Sequence, residues 1–162
     1  MHQSPCYPGT GSLFDVGSGR GRGFNANLPL QPGQGDSEYH YIVNTLFAPI
    51  IIDFAPEIIL VSAGFDPHRL DPLGGMNLSG SGFASMAAIL TELADTICDG
   101  RILFLLEGGY SLEALPGSAQ ALIDAATGRY SYDEKSCSTN SPDNELIERF
   151  IHIQSEFRPG IF

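Results

Sequence analysis

The sequence predicts an α/β protein built on a parallel sheet. Two short apolar runs, residues 57–62 and 101–107, have the length and composition of buried strands. Apolar residues recur at helical spacing in the segment between these runs. A strand, a helix and a second strand at this spacing form a βαβ unit, in which the crossover is right-handed and the strands are parallel.

Composition narrows the classes of function. A chain of 162 residues fits one domain, and its hydrophobic fraction of 43% is enough for a buried core. The net charge of −11 argues against direct nucleic-acid binding, which needs a basic surface to displace counterions. An acidic surface favours a cationic substrate, although solvation of the surface explains the same charge.

The number and spacing of the cysteines and the hydropathy of the chain indicate the cellular compartment of the protein. Cys6, Cys98 and Cys137 are scattered and lack CxxC spacing, which predicts a reducing compartment rather than a disulfide framework. No apolar stretch approaches the ~20 residues of a membrane span, and the N-terminal residues lack the parts of a signal peptide. We therefore expect no membrane partner and, by default, a cytoplasmic location, with the nucleus as the alternative in a eukaryote.

The first third of the chain predicts loops followed by a helix. Residues 1–36 are rich in glycine and proline, with a short strand expected within residues 24–30. Asp36 is a plausible N-cap of the helix, and His40 is expected at an exposed or edge position on it. Its apolar residues at helical spacing are Tyr39, Ile42, Val43, Leu46 and Phe47. Pro49 is expected to kink or break the helix, with continuation for a turn or two over residues 50–54 as the alternative, and Pro56 is expected to end it.

The remaining elements follow in order. A strand near residues 58–61 precedes a helix that is capped near Ser79 and ended by Asp99-Gly100. The apolar stripe of this helix comprises Phe83, Met86, Leu90, Leu93, Ala94 and Ile97. The second strand covers residues 102–106, and a helix over residues 111–127 stops at Gly128. Residues 129–144 are expected to be a polar linker, and residues 145–162 a peripheral segment with a short helix.

Two chemically useful side chains follow the two strands. Asp66 comes just after the first strand, and Tyr110 follows Gly108-Gly109 after the second. Parallel strands end at the same edge of a sheet, and in open α/β sheets this edge binds ligands. We therefore expect Asp66 and Tyr110 to face one pocket.

The residues alone leave several roles open. Asp66 fits a metal ligand, a general base or a loop carboxylate that caps its own turn. Asp66-Pro-His68 also looks like a pair of metal ligands, although catalytic zinc normally takes three ligands from protein. The Tyr110 hydroxyl fits a donor to a developing oxyanion, and the alternative is a half-buried aromatic that closes the turn. The glycines of residues 17–23 do not form a phosphate site, because no strand precedes them and the P-loop lysine is missing.

Five motifs resemble the histone deacetylase and acetylpolyamine amidohydrolase family, in its class II or bacterial branch. They are His2-Gln-Ser-Pro-Cys-Tyr-Pro-Gly-Thr-Gly11, Gly21-Arg-Gly-Phe-Asn-Ala-Asn-Leu-Pro-Leu30, Val61-Ser-Ala-Gly-Phe-Asp66, Asp71-Pro-Leu-Gly-Gly75 and Leu106-Glu-Gly-Gly-Tyr110. They occur in the family's order over roughly residues 1–127. The resemblance implies an incomplete three-layer α/β/α fold of the arginase and deacetylase type, with residues 1–128 as the C-terminal half of the catalytic domain.

The resemblance also implies a role for each site residue. Asp66 matches a zinc ligand, and Tyr110 matches the tyrosine that polarises the acetyl carbonyl. His68 matches a residue that does not bind metal. The positions that match residues lining the family's acyl-lysine channel are Tyr7, Pro72, Leu73 and Gly109.

The implied activity is zinc-dependent hydrolysis of acetyl-lysine or acetylated polyamines, with potassium as a further cofactor of the family. The family's other zinc ligands and its histidine pair lie upstream of the position that matches Met1. We therefore expect the isolated chain to be inactive, and to depend on a complementing N-terminal half or on self-association. The alternative is a non-catalytic fragment or split scaffold that keeps the fold.

Overall fold

Two small parallel sheets form the strand framework of the computed structural model, which describes residues 1–130 and 143–162. In the first sheet, β1 (His2–Gln3) pairs with β2 (Pro29–Leu30). In the second, β3 (Ile59–Ala63) pairs with β4 (Ile102–Leu106). The predicted βαβ unit is therefore confirmed, with adjacent parallel strands. The strand expected within residues 24–30 is limited to β2.

Three helical segments follow one another without a break between the two sheets. They are α1 (Asp36–Tyr41), a π-helical segment (Ile42–Phe47) and α2 (Ala48–Phe54). Pro49 lies in the first turn of α2 and does not break the helix, which continues over residues 50–54 in line with the alternative that the sequence left open. Proline lacks the N–H that bonds four residues back, and the wider π-helical turn before it accommodates this loss. Ala55 ends α2 in the left-handed conformation, with φ 49°.

Asp36 is not the N-cap of α1, contrary to the expectation. Gly35 occupies that position, and its N–H donates to Glu38 Oε2 at 2.8 Å. The Asp36 carboxylate instead accepts hydrogen bonds from Ser79, at 2.8 Å from the backbone N–H and 2.5 Å from the hydroxyl. Asp36 therefore connects the start of α1 to the residue that caps the next helix.

The remaining helices are α3 (Gly80–Cys98), α4 (Ala114–Ala126) and α5 (Asn144–Ser155). Ser79 caps α3 as predicted, and Asp99 ends it in the left-handed conformation. The fourth helix begins at Ala114, three residues later than predicted, because residues 111–113 form the turn that leads into it.

The C-terminal helix packs into the main core. Phe150 is fully buried there, together with Ile147 of the same helix. Beyond the helix, the buried Arg158 side chain donates to the Gly23 carbonyl at 2.6 Å and to Gln154 Oε1 at 2.5 Å. These bonds connect the end of the chain to its N-terminal loops. Most of the expected linker, residues 129–144, lies outside the described residues, and the division into segments stays a prediction.

Helices cover one face of the β3–β4 sheet. Ile59 and Val61 pack against α3, and Phe104 packs against both α3 and α4. On the opposite face Leu60, Leu103 and Leu105 are exposed. Parallel sheets are normally covered on both faces, so the α/β class is confirmed in an incomplete form. In the described part of the chain, no helix is both long and apolar enough to cross a membrane.

Candidate active site

The carboxyl ends of β3 and β4 lie side by side and present both predicted residues at one edge. Ala63 pairs with Leu106 at the end of the ladder, and Asp66 and Tyr110 follow a few residues later. The Phe65 N–H then donates to the Gly108 carbonyl at 2.9 Å, which holds the two loops together beyond the strands. The expected proximity of the two strand ends is therefore present.

Two glycines allow the Asp66 carboxylate to lie close to both loops. A Cβ atom added to Gly64 or to Gly108 would lie 2.7 Å from Asp66 Oδ1, closer than side chains tolerate. Glycine at both positions leaves room for the carboxylate. Asp66 is half-buried and lines a cavity of about 400 Å³, whose other lining residues include His2, Tyr7, Tyr39 and Gly74.

Tyr39 is a buried polar group beside Asp66. Its hydroxyl is buried and has no hydrogen-bond partner among the described residues. Burial raises the pKa of the Tyr39 phenol, and the nearby Asp66 carboxylate raises that pKa further. The phenol therefore stays protonated and offers a hydrogen-bond donor at the wall of the cavity. The helical spacing of the sequence marked Tyr39 as an apolar core position and did not indicate a polar role.

Asp71 organises the edge of the site. Its Oδ1 accepts hydrogen bonds from the N–H groups of Leu73 at 2.9 Å and Gly74 at 3.2 Å, and its Oδ2 accepts one from Tyr110 at 2.7 Å. Burial of Asp71 would raise the pKa of its carboxyl, but hydrogen bonds from Tyr110, Leu73, Gly74 and Ser111 lower that pKa below its usual value. Sequence reasoning assigned Asp71 no role, although an aspartate that bonds its own backbone two residues on is a known turn signal.

The predicted channel residues lie around this edge and are open to solvent. Tyr7 is 95% exposed, Tyr110 is 58% exposed, and Pro72 and Leu73 are also exposed. Gly109 adopts φ 127°, and a Cβ there would lie 2.8 Å from the Phe65 Cβ. The structure places Tyr7 in the same cavity as Asp66. The cavity is not lined by Pro72, Leu73, Gly109 or Tyr110, so Asp66 and Tyr110 do not face one pocket as expected. Asp71 joins the Leu73 and Tyr110 backbones beside it.

His68 has a structural environment. It is buried, its Nδ1 accepts the Leu70 N–H at 3.1 Å, and its ring stacks on Phe83 with centroids 6.4 Å apart. Burial lowers the pKa of His68, and Arg69 adds to this effect, against the opposing carboxylates of Asp36, Asp71 and Glu113. Since the Nδ1 atom is occupied by Leu70, this environment favours a neutral ring that packs in the core.

His40 lies at an edge position rather than an exposed one, within the expectation of an exposed or edge residue. It is half-buried, and its Nδ1 lies 2.7 Å from the hydroxyl of the buried Ser85. This contact arises because α1 packs against α3. Helical spacing within α1 carries no information about that neighbour.

The described residues do not form a zinc site by themselves. Catalytic zinc normally has three ligands from protein, and no group of three His, Cys, Asp or Glu residues that could hold a metal occurs in residues 1–130 and 143–162. The Asp66 carboxylate offers oxygen atoms of a kind that zinc binds, but the described residues do not supply two further ligands beside it. Its role as a zinc ligand, and the binding of potassium, stay predictions.

The fold and the strand-end residues define an α/β protein with a candidate ligand site at the carboxyl edge of its sheet. The chain belongs to the histone deacetylase domain family, which matches residues 1–126. It is 41% identical over 128 residues to a probable deacetylase of Archaeoglobus fulgidus, covering 78% of this chain and 36% of the relative. It is 40% identical over 161 residues to the chloroplastic histone deacetylase 10 of Oryza sativa, covering 95% and 36%.

Solved structures agree with this assignment. The chain superposes on the HDA15 HD domain with a TM-score of 0.81 and 34% identity, covering 96% of this chain and 41% of that one. It superposes on the histone deacetylase Clr3 with a TM-score of 0.80 and 29% identity, covering 93% and 25%. The deacetylase-type fold expected from the sequence is therefore confirmed. The chain spans little more than a third of the length of these two curated relatives, 36% of each.

Proposed function

We propose that this chain is part of a zinc-dependent deacetylase-type hydrolase that cleaves the amide bond of acetyl-lysine or acetylated polyamines. The observation that carries the proposal is the pairing of β3 and β4, whose ends bring Asp66 and Tyr110 to one sheet edge. Membership of the family and the five sequence motifs support the choice of reaction. The proposal covers acetylated lysine and acetylated polyamines in general and does not single out histones as the substrate.

Tyr110 is the residue of this chain that acts on the substrate. Its hydroxyl donates a hydrogen bond to the acetyl carbonyl oxygen, where negative charge develops during hydrolysis. Asp71 holds the Tyr110 backbone and thereby positions the ring. The acetylated side chain passes along Tyr7, Pro72, Leu73 and Gly109 at the open rim.

Asp66 would supply one carboxylate ligand to a zinc ion, and the remaining ligands would come from the part of such a domain that this chain does not span. The half-buried position of Asp66, and the two glycines that clear space around its carboxylate, support this role. Since one protein ligand does not hold catalytic zinc, the isolated chain has weak or no zinc affinity and no deacetylase activity. Elemental analysis of the purified chain tests this, because stoichiometric zinc would contradict it.

A second candidate function is a non-catalytic module that keeps the scaffold. The missing group of three metal-binding side chains in the described residues favours it. The two candidates differ in what happens when the rest of a deacetylase domain is supplied. The enzyme candidate gains activity, whereas the non-catalytic module does not.

The test combines this chain with the part of the Archaeoglobus fulgidus deacetylase that lies outside the matched region. Acetate release from an acetyl-lysine peptide is measured with and without added zinc. We expect zinc-dependent hydrolysis that Tyr110→Phe lowers by about 100-fold or more, since one oxyanion donor contributes on that scale. Tyr130→Phe is the matched control, because Tyr130 follows α4 and packs beside Ala84 and Ala125. A complex that forms but releases no acetate would overturn the proposed activity.

A further inference from the structure

A second cavity, of about 390 Å³, lies between the N-terminal loop and α5. The loop wall consists of residues between His2 and Phe14, and the helix wall consists of Leu146 and Arg149. The family match covers residues 1–126, so α5 lies outside it. The cavity therefore has one wall from the family domain and one wall from beyond it. We call it the α5 cavity.

Arg149 gives the α5 cavity a positive charge. Its guanidinium lies 5.8 Å from the centre of the Phe14 ring, which is within the range of a cation–π contact. Within residues 1–130 and 143–162, no Asp or Glu lines this cavity, and no carboxylate forms an ion pair with Arg149. Since the chain as a whole carries a net charge of −11, this cavity differs from the average surface and favours an anion.

The other walls of the α5 cavity combine hydrogen-bonding groups with apolar surface. Ser4, Thr10 and Ser12 supply hydroxyl groups, and the Ser12 hydroxyl accepts the Phe14 N–H at 3.3 Å, which leaves its own hydrogen to donate. Partial burial lowers the pKa of His2, so its ring is neutral near pH 7 and offers one N–H. The apolar lining residues are Pro5, Leu13, Phe14, Pro29 and Leu146. A few polar groups on an apolar wall are typical of a small-molecule site.

The loop wall is held in place by its own contacts. The Gly9 N–H donates to the Cys6 carbonyl at 2.8 Å, and the Ser12 N–H donates to Asp15 Oδ2 at 2.8 Å. Gly11 adopts φ 85°, and a Cβ there would lie 2.7 Å from His2 Cε1, so glycine lets the histidine ring pack against the loop. The α5 cavity is therefore formed before any ligand enters it.

We propose that the α5 cavity binds a small anion with an apolar body. The anionic group accepts hydrogen bonds from the Arg149 guanidinium, and the apolar body lies against Leu13 and Leu146. Carboxylates and phosphate monoesters share this chemistry, since arginine donates to the oxygens of either group. A cation is disfavoured, because it would meet Arg149 without a carboxylate among the described lining residues. This inference does not depend on the proposed catalytic activity.

The segment from His2 to Cys6 separates the α5 cavity from the Asp66 cavity. His2, Gln3 and Cys6 line both cavities, so a change at these residues does not tell the two sites apart. Two pairs of glycines do. The backbones of Gly9 and Gly11 line only the α5 cavity, and those of Gly64 and Gly74 line only the Asp66 cavity.

The experiment titrates sodium benzoate into the ¹⁵N-labelled 162-residue chain and follows the backbone amides by NMR. We expect saturable shifts at Gly9 and Gly11, with a Kd of about 1 mM or below, and unchanged signals at Gly64 and Gly74. Benzyl alcohol has the same ring without the charge, and it is expected to bind at least about 10-fold more weakly. Phenyl phosphate is the second arm. Tighter binding of benzoate identifies a carboxylate site, and tighter binding of phenyl phosphate identifies a phosphate site.

Two variants change the charge of the cavity wall. Arg149→Gln removes the cation and is expected to raise the Kd for benzoate by about 10-fold or more. Its matched control is Arg20→Gln, because Arg20 is exposed and lies outside both cavities. Thr10→Glu adds a carboxylate at an exposed wall position and is expected to weaken binding by about 5- to 10-fold. Its matched control is Ser18→Glu, which makes the same change outside both cavities. Thermal unfolding of each variant shows that the fold is retained.

The outcomes are distinct from those that test the proposed activity, because no acetate release is measured. Shifts at Gly9 and Gly11 that Arg149→Gln and Thr10→Glu weaken, and that both controls leave unchanged, support the α5 cavity as an anion site. The inference is overturned if benzoate causes no saturable shift, or if the shifts occur at Gly64 and Gly74 instead. Equal affinity of the wild type and Arg149→Gln for benzoate also overturns it.

Discussion

The Asp71 carboxylate accepts the backbone N–H of Tyr110 at 2.7 Å, although the two residues are 39 positions apart in the chain. The same carboxylate accepts the N–H groups of Leu73 and Gly74. One buried side chain therefore sets the position of the Tyr110 backbone relative to the loop that carries Pro72 and Leu73. Neither β3 nor β4 provides this connection, because both loops lie beyond the ends of the strands.

Replacement of Asp71 by asparagine should loosen the Tyr110 loop. Asparagine keeps one accepting oxygen, but its amide nitrogen meets an N–H donor and leaves it unpaired. We expect the free energy of unfolding to fall by about 2–3 kcal/mol and exchange of the Tyr110 amide to accelerate. Urea unfolding and amide exchange measure the two effects. The control is Asp99→Asn, since Asp99 is exposed and asparagine tolerates its left-handed conformation. Equal losses in both variants would contradict the argument.

Asp71 should also make stability depend on pH. Its pKa in the folded chain is lower than its usual value, so the unfolded chain binds more protons at acid pH. The stabilisation is therefore fully present above about pH 4 and is lost as pH falls through the lower, folded pKa. Comparison of unfolding free energies between about pH 5 and 2 for the wild type and Asp71→Asn measures this contribution. The wild type is expected to lose more stability over this range, and parallel curves would show that the carboxylate contributes nothing.

Gly109 should not tolerate a side chain. Its φ of 127° is unfavourable for other residues, and a Cβ would lie 2.8 Å from the Phe65 Cβ. We expect Gly109→Ala to lower the free energy of unfolding by about 1–3 kcal/mol. Gly117→Ala is the matched control, because Gly117 lies inside α4 with no atom near an added Cβ, and there alanine should stabilise the chain by up to about 1 kcal/mol. Thermal unfolding of both variants gives the comparison, and a neutral Gly109→Ala would rule out the steric argument.

Arg158 should contribute more to stability than an exposed arginine. It is buried and bonds to the Gly23 carbonyl and to Gln154, whereas the Arg129–Asp124 pair is largely in solvent. We expect Arg158→Ala to lower the free energy of unfolding by about 3 kcal/mol, and Arg129→Ala by less than about 1 kcal/mol. Urea unfolding checks both values. Similar losses would show that the C-terminal segment is not held by Arg158.

Local patterns predicted the elements that depend on local physics. The βαβ unit was predicted from the apolar runs around Ile59 and Ile102 and from the helical stripe between them. The prediction holds because short apolar strands and an amphipathic helix bury their apolar faces against each other. Ser79 was recognised as a cap for the same reason, since its hydroxyl bonds within its own helix turn. The motifs that end in Asp66 and Tyr110 indicated the family.

Several features depended on contacts between distant residues and were missed or wrong. Aspartate is a common helix N-cap, but the Asp36 carboxylate instead accepts hydrogen bonds from the backbone N–H and the hydroxyl of Ser79. The His40 ring contacts the Ser85 hydroxyl because α1 packs on α3, and this contact was not predicted.

The sequence by itself determined the fold class, the order of strands and helices, and which side chains follow the strand ends. These follow from hydrophobic period and from motifs that are contiguous in the chain. Only the tertiary structure decided that Asp71 joins the Tyr110 loop. Within residues 1–130 and 143–162, it also decided that the Tyr39 hydroxyl is buried beside Asp66 without a hydrogen-bond partner and that β3 pairs with β4 alone. Each of these is a relationship between groups far apart in sequence, whose distance and burial are set by packing, and no local pattern encodes them.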